Sequence, residues 1–316
     1  MSEPRSVVIA ETIDADAIAE LKRGPCHVVD ATGEGALAGS LGTAWGLVVR
    51  SKTKVTKELL DRAPGLQLIA RAGVGVDNVD MPAATARKIR VVNAPTAATA
   101  SVAELSVALY LMLARNLAHR VAATKAGEWK RGENGTELAG KTVGFVGYGR
   151  IAREIARLLG PFGVRTIATD PFVRATSDGT ELTTLDDLLA RADFVSLHAA
   201  LTPENHHLLN AARLATMKKG AYLVNVARGP LVDEAALVAA LDSGRLGGAA
   251  LDVFEVEPPT RTQLLGHPKV IATPHLGAST HEAQRRAGRQ VVDEVLRALK
   301  GEPLQSLVNP EVEAPR

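Results

Sequence analysis

Arg228, Glu257 and His275 each follow an apolar run rich in β-formers: AYLVNVA (221–227), GAALDVF (248–254) and KVIATP (269–274). In open α/β sheets, ligands bind beyond the carboxyl ends of the strands. An arginine, a carboxylate and a histidine gathered there form a workable hydride-transfer site. Arg228 is suited to hold a substrate carboxylate through a two-pronged hydrogen bond. His275 is suited to take a hydroxyl proton as hydride leaves the carbon, or to return it in reverse. Glu257 is expected to hold the imidazole in one orientation. Glu255 is the rival for that place. The plain alternative for His275, in ATPHLGAST (272–280), is a surface-loop histidine.

Hydride transfer needs an acceptor, and the chain carries a loop for one. After the run TVGFV comes GYGRIA (147–152), a G-x-G-x-x-A pattern that opens the helical stretch RIAREIARLLG. Strand before and helix after is the context a dinucleotide loop requires. Gly147 permits the tight turn, and Gly149 lets the backbone approach a pyrophosphate at the positive helix N-terminus. Ala152 is small enough for close helix–strand packing. The next run ends at Asp170, 170 − 149 = 21 residues after the second glycine. A carboxylate there is placed to grip the adenosine ribose hydroxyls and to repel the extra phosphate of NADP, which favours NAD. Arg174, four residues on, keeps NADP open.

The elements that must position these residues fall into two series. SVVIA (6–10), HVVD (27–30), LVVR (47–50), LQLIAR (66–71) and RVVN (90–93) form the first. TVGFVG (142–147), RTIATD (165–170), DFVSLH (193–198), AYLVNVA, GAALDVF and KVIATP form the second. The runs are apolar without strict alternation, as expected of strands covered on both faces. Their alternation with helical patterns predicts parallel sheets wound by helices. Between the series, 101–129 reads as one long helical stretch that starts at a Ser101–Glu104 capping box. A further helix is expected over 281–301, and LQSLVNP (304–310) is expected to return to the first domain. Arg50, Arg71 and Asn93 stand at strand ends of the first series, and Lys52 and Lys54 make the loop after Arg50 basic. If both sheets point their strand ends at one cleft, these residues face the catalytic group, and an anionic substrate gives the basic loop a purpose. The glycines of RAGVG also leave backbone N–H groups accessible to an anion.

Composition narrows the class. With 46% hydrophobic residues in 316, the chain can bury sizeable cores. A net charge of +2 and 3% aromatics give no footing for nucleic acid. The single cysteine, Cys26, excludes an internal disulfide and a thiolate metal cluster. No metal site is expected: His206 and His207 are adjacent, and His198 adds no ligand spacing. No signal peptide or membrane span is legible, so a cytoplasmic protein is expected.

RAGVGVDNVD (71–80), GKTVGFVGYGRIA (140–152), NVARGPLVDEAAL (225–237), ALDVFEVEPP (250–259) and TPHLGAST (273–280) together resemble the D-isomer-specific 2-hydroxyacid dehydrogenase family over nearly the whole chain. The resemblance implies two Rossmann-like, doubly wound parallel-sheet domains with a cleft between them. Residues 1–95 and 282–316 would form a discontinuous, flavodoxin-like substrate domain, and 96–281 the NAD-binding domain. Arg228, Glu257 and His275 fall on the family's catalytic positions. Gly147, Gly149, Arg150, Ile151, Asp170, Ala199, Val226, Ala227, Arg228, Asp252, His275 and Gly277 fall on the cofactor side. Arg50, Ser51, Arg71, Val74 and Gly75, with Arg228 and His275, fall on the substrate side. A homodimer built through the NAD-binding domains is implied.

The reaction expected from the resemblance is NAD-dependent oxidation of D-3-phosphoglycerate to 3-phosphohydroxypyruvate, the first step of phosphorylated serine biosynthesis. Reduction of glyoxylate, hydroxypyruvate or another 2-keto acid is the alternative, and a nucleotide-sensing scaffold is a reading of a different class. Long forms within the family carry C-terminal regulatory domains that bind serine; this chain ends at EVEAPR, so feedback of that kind is not expected. The chain departs from the pattern at Ala98, where asparagine is usual near the substrate, and at Val74, Ala200 and Pro230.

Overall fold

The computed structural model describes residues 4–129, 134–259 and 263–313. The chain divides into two compact units, Met1–Ala98 with Ala278–Arg316 and Thr99–Gly277. The boundaries therefore fall at 98/99 and 277/278, against 95/96 and 281/282 expected from sequence.

In the first unit, β1 (Arg5–Ile9), β2 (Cys26–Asp30), β3 (Ala44–Val49), β4 (Leu68–Arg71) and β5 (Arg90–Val92) pair in parallel in the order β2-β1-β3-β4-β5. Helices α1 (Ala15–Lys22), α2 (Ala36–Ser40), α3 (Lys57–Asp61) and α4 (Met81–Ala86) lie between the strands in sequence. Successive side chains of a strand point to opposite faces, and the burial follows. Val7 and Ile9 enter one core with Ala17 and Leu21 of α1, while Val8 enters another with Leu41, Leu60 and Ala84. Both faces are thus covered, which is why the strands read as continuous apolar runs. Fully burying each such Val, Ile or Leu contributes roughly 1.5–3 kcal/mol.

The second unit holds α5 (Thr99–Arg115), α6 (Leu117–Lys125), β6 (Thr142–Val146), α7 (Arg150–Leu159), β7 (Arg165–Thr169), β8 (Glu181–Leu182), α8 (Leu185–Arg191), β9 (Phe194–Leu197), α9 (Ala211–Thr216), β10 (Ala221–Asn225), α10 (Glu234–Asp242), β11 (Leu246–Leu251) and β12 (Val270–Ala272). Its seven strands run in the order β12-β11-β10-β9-β6-β7-β8, all pairings parallel. One face packs α5 and α7 through Tyr110, Leu113, Ile155 and Leu159; the other packs α8, α9 and α10 through Leu188, Leu214 and Leu237. The chain then returns to the first unit as α11 (His281–Lys300), capped by Thr280, whose hydroxyl accepts from the Ala283 N–H. Ala287 and Val291 of α11 enter the core that holds Val7 and Ile9. The tail also returns there, with the Val308 N–H bonded to the Val91 carbonyl.

Three expectations need correction. The helix expected from a Ser101 cap begins at Thr99, so Ser101 lies inside it and is buried. The single stretch 101–129 is two helices meeting at 68°, because Asn116 takes a left-handed φ of 49° between them. The edge strand β8 was not foreseen. No single helix among the described residues is long and apolar enough to cross a membrane; α5 and α6 reach that length only as the bent pair.

Candidate active site

Each sheet has a point where the strand order reverses, and these are the places where ligands bind in doubly wound folds. In the second unit the reversal lies at β6, between β9 and β7. Gly147, just past β6, has φ of 89°, and a Cβ there would lie 2.7 Å from the Ala199 nitrogen and 2.8 Å from the His198 carbonyl carbon. Only glycine serves, for both conformation and space. Ala199 is thus the neighbour of the glycine turn. A Cβ at Gly149 would meet nothing within 4 Å, and no side chain caps the helix α7 that starts beyond it. Ala152 is fully buried against the sheet. An open backbone at an uncapped helix N-terminus fits the diphosphate of a dinucleotide.

Asp170 lies at the end of β7. Its carboxylate accepts from the Tyr148 N–H (2.8 Å), the Phe172 N–H (2.8 Å) and the Val173 N–H (3.2 Å). It therefore braces the glycine loop, a role that spacing alone does not reveal. Tyr148, the residue between the two glycines, is buried, and its hydroxyl lies 2.6 Å from both Asp178 Oδ2 and Thr180 Oγ1. Burial and the hydrogen bond to Asp178 push this phenol up to about 12, so it stays protonated. Arg150 and Ile151 open α7, and Arg174 is exposed.

The chemistry-bearing residues follow β10, β11 and β12. His275 Nδ1 lies 2.8 Å from Glu257 Oε2, and Glu257 Oε1 accepts from the Phe254 N–H at 3.1 Å. The carboxylate is itself held and in turn fixes the ring, leaving Nε2 as the nitrogen for exchange with a ligand. The side chain of His275 is 53% exposed, so the ring is open to a ligand. Glu255, the rival, is engaged elsewhere: its Oε1 accepts from the Glu234 N–H and pairs with His207 Nε2 at 3.0 Å.

His275 stands in the left-handed region, φ 55°. For a residue with a Cβ this costs on the order of 1–3 kcal/mol and persists only where the surroundings over-determine it. Asp252 supplies that constraint. Buried to 1% exposure, it accepts from Thr273 Oγ1 (2.6 Å), the Leu276 N–H (2.7 Å) and the Gly277 N–H (2.8 Å). Asp252, expected beside the cofactor, thus clamps the turn that bears His275. Gly277 fits beneath it, where a Cβ would lie 3.3 Å from Asp252 Oδ2.

Arg228 follows β10, and its Nη1 donates to the Ala227 carbonyl at 2.6 Å. Asn225, fully buried, holds the Val226–Arg228 turn from inside, accepting from the Ala227 N–H and donating to the Arg228 carbonyl. A Cβ at Gly229 would lie 1.9 Å from the Phe254 carbonyl carbon, so the turn presses directly on the strand-end loop that leads to Glu257.

In the first unit the strand order reverses between β1 and β3. Arg50, Ser51 and Lys52 follow β3, and Arg50 Nη1 donates to the Thr12 carbonyl at 3.1 Å. Asn78 Nδ2 donates to the Arg50 and Thr53 carbonyls at 2.9 and 2.7 Å, and Asn93 Nδ2 to the Val74 carbonyl at 2.6 Å. The loops after β3, β4 and β5 are thereby tied together. Arg71 folds over Gly73, where a Cβ would lie 1.6 Å from Nη1. Val74 is 36% exposed, Gly75 is half-buried, and Ala98 is buried. Asn78, Asn225 and the Asp252 clamp were not singled out as positioning groups from sequence; polar residues flanking strand ends were the available signal. Among the described residues no group of three or more His, Cys, Asp and Glu converges to hold a metal ion.

Comparison with known proteins agrees with this geometry. Residues 107–277 match the family model described as "D-isomer specific 2-hydroxyacid dehydrogenase, NAD binding domain". The chain is 44% identical over 309 residues to a D-3-phosphoglycerate dehydrogenase of Methanocaldococcus jannaschii, covering 96% of this chain and 59% of that one. It is 47% identical over 308 residues to the enzyme of that name from Mycobacterium leprae, covering 96% and 58%. It therefore spans less than two thirds of the length of these curated relatives. The crystal structure of a glyoxylate reductase from Paecilomyes thermophila superposes with a TM-score of 0.89 at 29% identity, covering 98% of this chain and 100% of that one. The chain belongs to the D-isomer specific 2-hydroxyacid dehydrogenase family.

Proposed function

We propose that this chain is an NAD-dependent dehydrogenase that oxidises D-3-phosphoglycerate to 3-phosphohydroxypyruvate, and so opens phosphorylated serine biosynthesis. The observation that carries the chemistry is the His275–Glu257 pair at 2.8 Å, held on a turn that Asp252 clamps, in the unit that matches an NAD binding domain. Likeness to D-3-phosphoglycerate dehydrogenases at 44–47% identity supports the substrate.

Bound NAD supplies the acceptor for the C2 hydride. Gly147, Gly149, Arg150 and Ile151 receive its diphosphate, and Asp170 its adenosine ribose. Ala199, Val226, Ala227 and Gly277 line it. Arg228 holds the substrate carboxylate. His275 accepts the C2 hydroxyl proton at Nε2, and Glu257 keeps the ring oriented through Nδ1 and stabilises the imidazolium that results. Arg50, Ser51, Arg71, Val74 and Gly75 receive the rest of the substrate, with Arg50, Lys52 and Lys54 supplying charge for the phosphate. The unit Met1–Ala98 with Ala278–Arg316 serves as the substrate domain, and Thr99–Gly277 as the cofactor domain.

A homodimer through the cofactor domains is part of this reading; α6, which buries no residue and exposes Leu117 (40%) and Val121 (53%) one turn apart, supports it. A cytoplasmic location accords with a single, free cysteine.

The test is formation of reduced nicotinamide from D-3-phosphoglycerate and NAD with the product trapped, beside reduction of hydroxypyruvate and glyoxylate. Turnover that depends on the phosphate is expected. Turnover with the unphosphorylated keto acids alone would overturn the substrate assignment.

A further inference from the structure

Glu11, two residues past β1, points its carboxylate into the backbone of the loop that follows β3. Oε1 accepts from the Thr53 N–H at 2.8 Å and the Arg50 N–H at 3.0 Å, and Oε2 accepts from the Lys52 N–H at 3.1 Å. Successive N–H groups that converge in this way make a concave anion site. Here the anion is part of the chain. Burial raises the pKa of Glu11, but the three backbone donors outweigh it, and the group titrates below the ordinary carboxylate value. The opposite side of the same loop is held by Asn78, through the Arg50 and Thr53 carbonyls. Between them, Glu11 and Asn78 engage three N–H groups and two carbonyls of residues 50–53. The side chains of Ser51 and Lys52 remain exposed, and that of Lys54 beyond them also.

We infer that Glu11 is a positioning residue for the substrate: it fills the loop's anion-binding backbone with a resident carboxylate, so that an anionic substrate is met by a fixed rim of cationic side chains and not by the loop's own N–H groups. The inference rests on the proposed role of this loop in binding substrate. Glu11 itself touches no reacting atom. Its consequence is selective: loss of Glu11 loosens Arg50, Lys52 and Lys54 and leaves the cofactor loop and His275 untouched.

Two variants separate the loop's geometry from the substrate's identity. In Glu11→Gln the amide oxygen can replace Oε1 and keep the Arg50 and Thr53 bonds, while the amide NH2 opposes the Lys52 N–H. In Glu11→Ala all three bonds are lost. Residue-resolved amide exchange on the intact chain reads the loop without any substrate. We expect at least tenfold faster exchange at Lys52 alone in Glu11→Gln, and at Arg50, Lys52 and Thr53 in Glu11→Ala. Steady-state kinetics then reads the consequence. The KM for D-3-phosphoglycerate should rise about threefold in Glu11→Gln and at least tenfold in Glu11→Ala, with kcat and the KM for NAD within twofold. Wild-type exchange at all three amides in Glu11→Ala would overturn the positioning role, whatever the substrate is. Faster exchange with an unchanged substrate KM would overturn the link to substrate binding. A wild-type chain inactive on every 2-hydroxy acid would instead defeat the proposed function, with the exchange result still deciding whether Glu11 holds the loop.

Discussion

The two strand-order reversals solve opposite problems with similar parts. In the first unit a carboxylate, Glu11, occupies the N–H groups of the loop after β3, and cationic side chains stand on its rim. In the second unit a carboxylate on the neighbouring strand end, Asp170 after β7, braces the loop from its edge, and Gly149 leaves open space before an uncapped helix. The difference matches the ligand proposed for each reversal. A dinucleotide diphosphate gains from many short backbone contacts and a helix terminus. A small hydroxy acid that must be distinguished from its relatives gains from a few charged side chains of fixed position. The shared lesson is that a carboxylate accepting several backbone N–H groups is how this fold stiffens a loop. Asp252, under the His275 turn, is the third instance.

The largest effect should come from the catalytic turn. His275→Asn removes the proposed acid/base and should lower kcat by about 10²–10⁴, with NAD affinity, measured by titration calorimetry, within twofold. Equal loss of NAD affinity would mean that the ring serves binding and not proton transfer.

Next is the clamp. Asp252→Asn turns one oxygen into a donor facing the Gly277 N–H and should cost roughly 1–3 kcal/mol of stability, read from denaturant midpoints. It should also lower kcat, since His275 would no longer be confined to its left-handed backbone. A stable variant with full kcat would show that Asp252 only fills space.

A smaller change is expected at the cofactor loop. Tyr148→Phe removes one buried hydroxyl and should cost about 1 kcal/mol, seen as a lower melting temperature and a severalfold higher KM for NAD. A rise in the substrate KM alone would break the contrast between the two reversals.

The smallest effect is on pH. Glu11 has a folded pKa below its unfolded value, so between about pH 5 and pH 3 the unfolded chain binds more protons and stability falls as pH falls. The wild-type melting temperature should therefore drop more steeply over that range than that of Glu11→Gln, by about 2 °C. Parallel slopes would remove the evidence that the carboxylate is held ionised.

What the sequence disclosed about this molecule is what lies close along the chain. All eleven expected strands form, since a strand buried on both faces is written as one apolar run. GYGRIA and the strand-end residues Arg228, Glu257 and His275 were visible for the same reason, each following its own strand. The clamps were not visible, because their partners are far apart: Glu11 reaches residues 39 to 42 positions away, and Asp252 reaches Leu276 and Gly277, 24 and 25 positions away. The break at Asn116 was hidden by continuous helical patterning on both sides, and β8 by having only two residues at a sheet edge.

The measurement that tests the contrast most directly is one kinetic matrix: KM for D-3-phosphoglycerate and KM for NAD in the wild type, Arg50→Ala and Gly149→Asp. A carboxylate at position 149 would meet the diphosphate, and loss of Arg50 would remove charge from the substrate rim. The account predicts that Gly149→Asp raises the KM for NAD at least tenfold and leaves the substrate KM within twofold, and that Arg50→Ala does the reverse. Both constants rising together in both variants would contradict it.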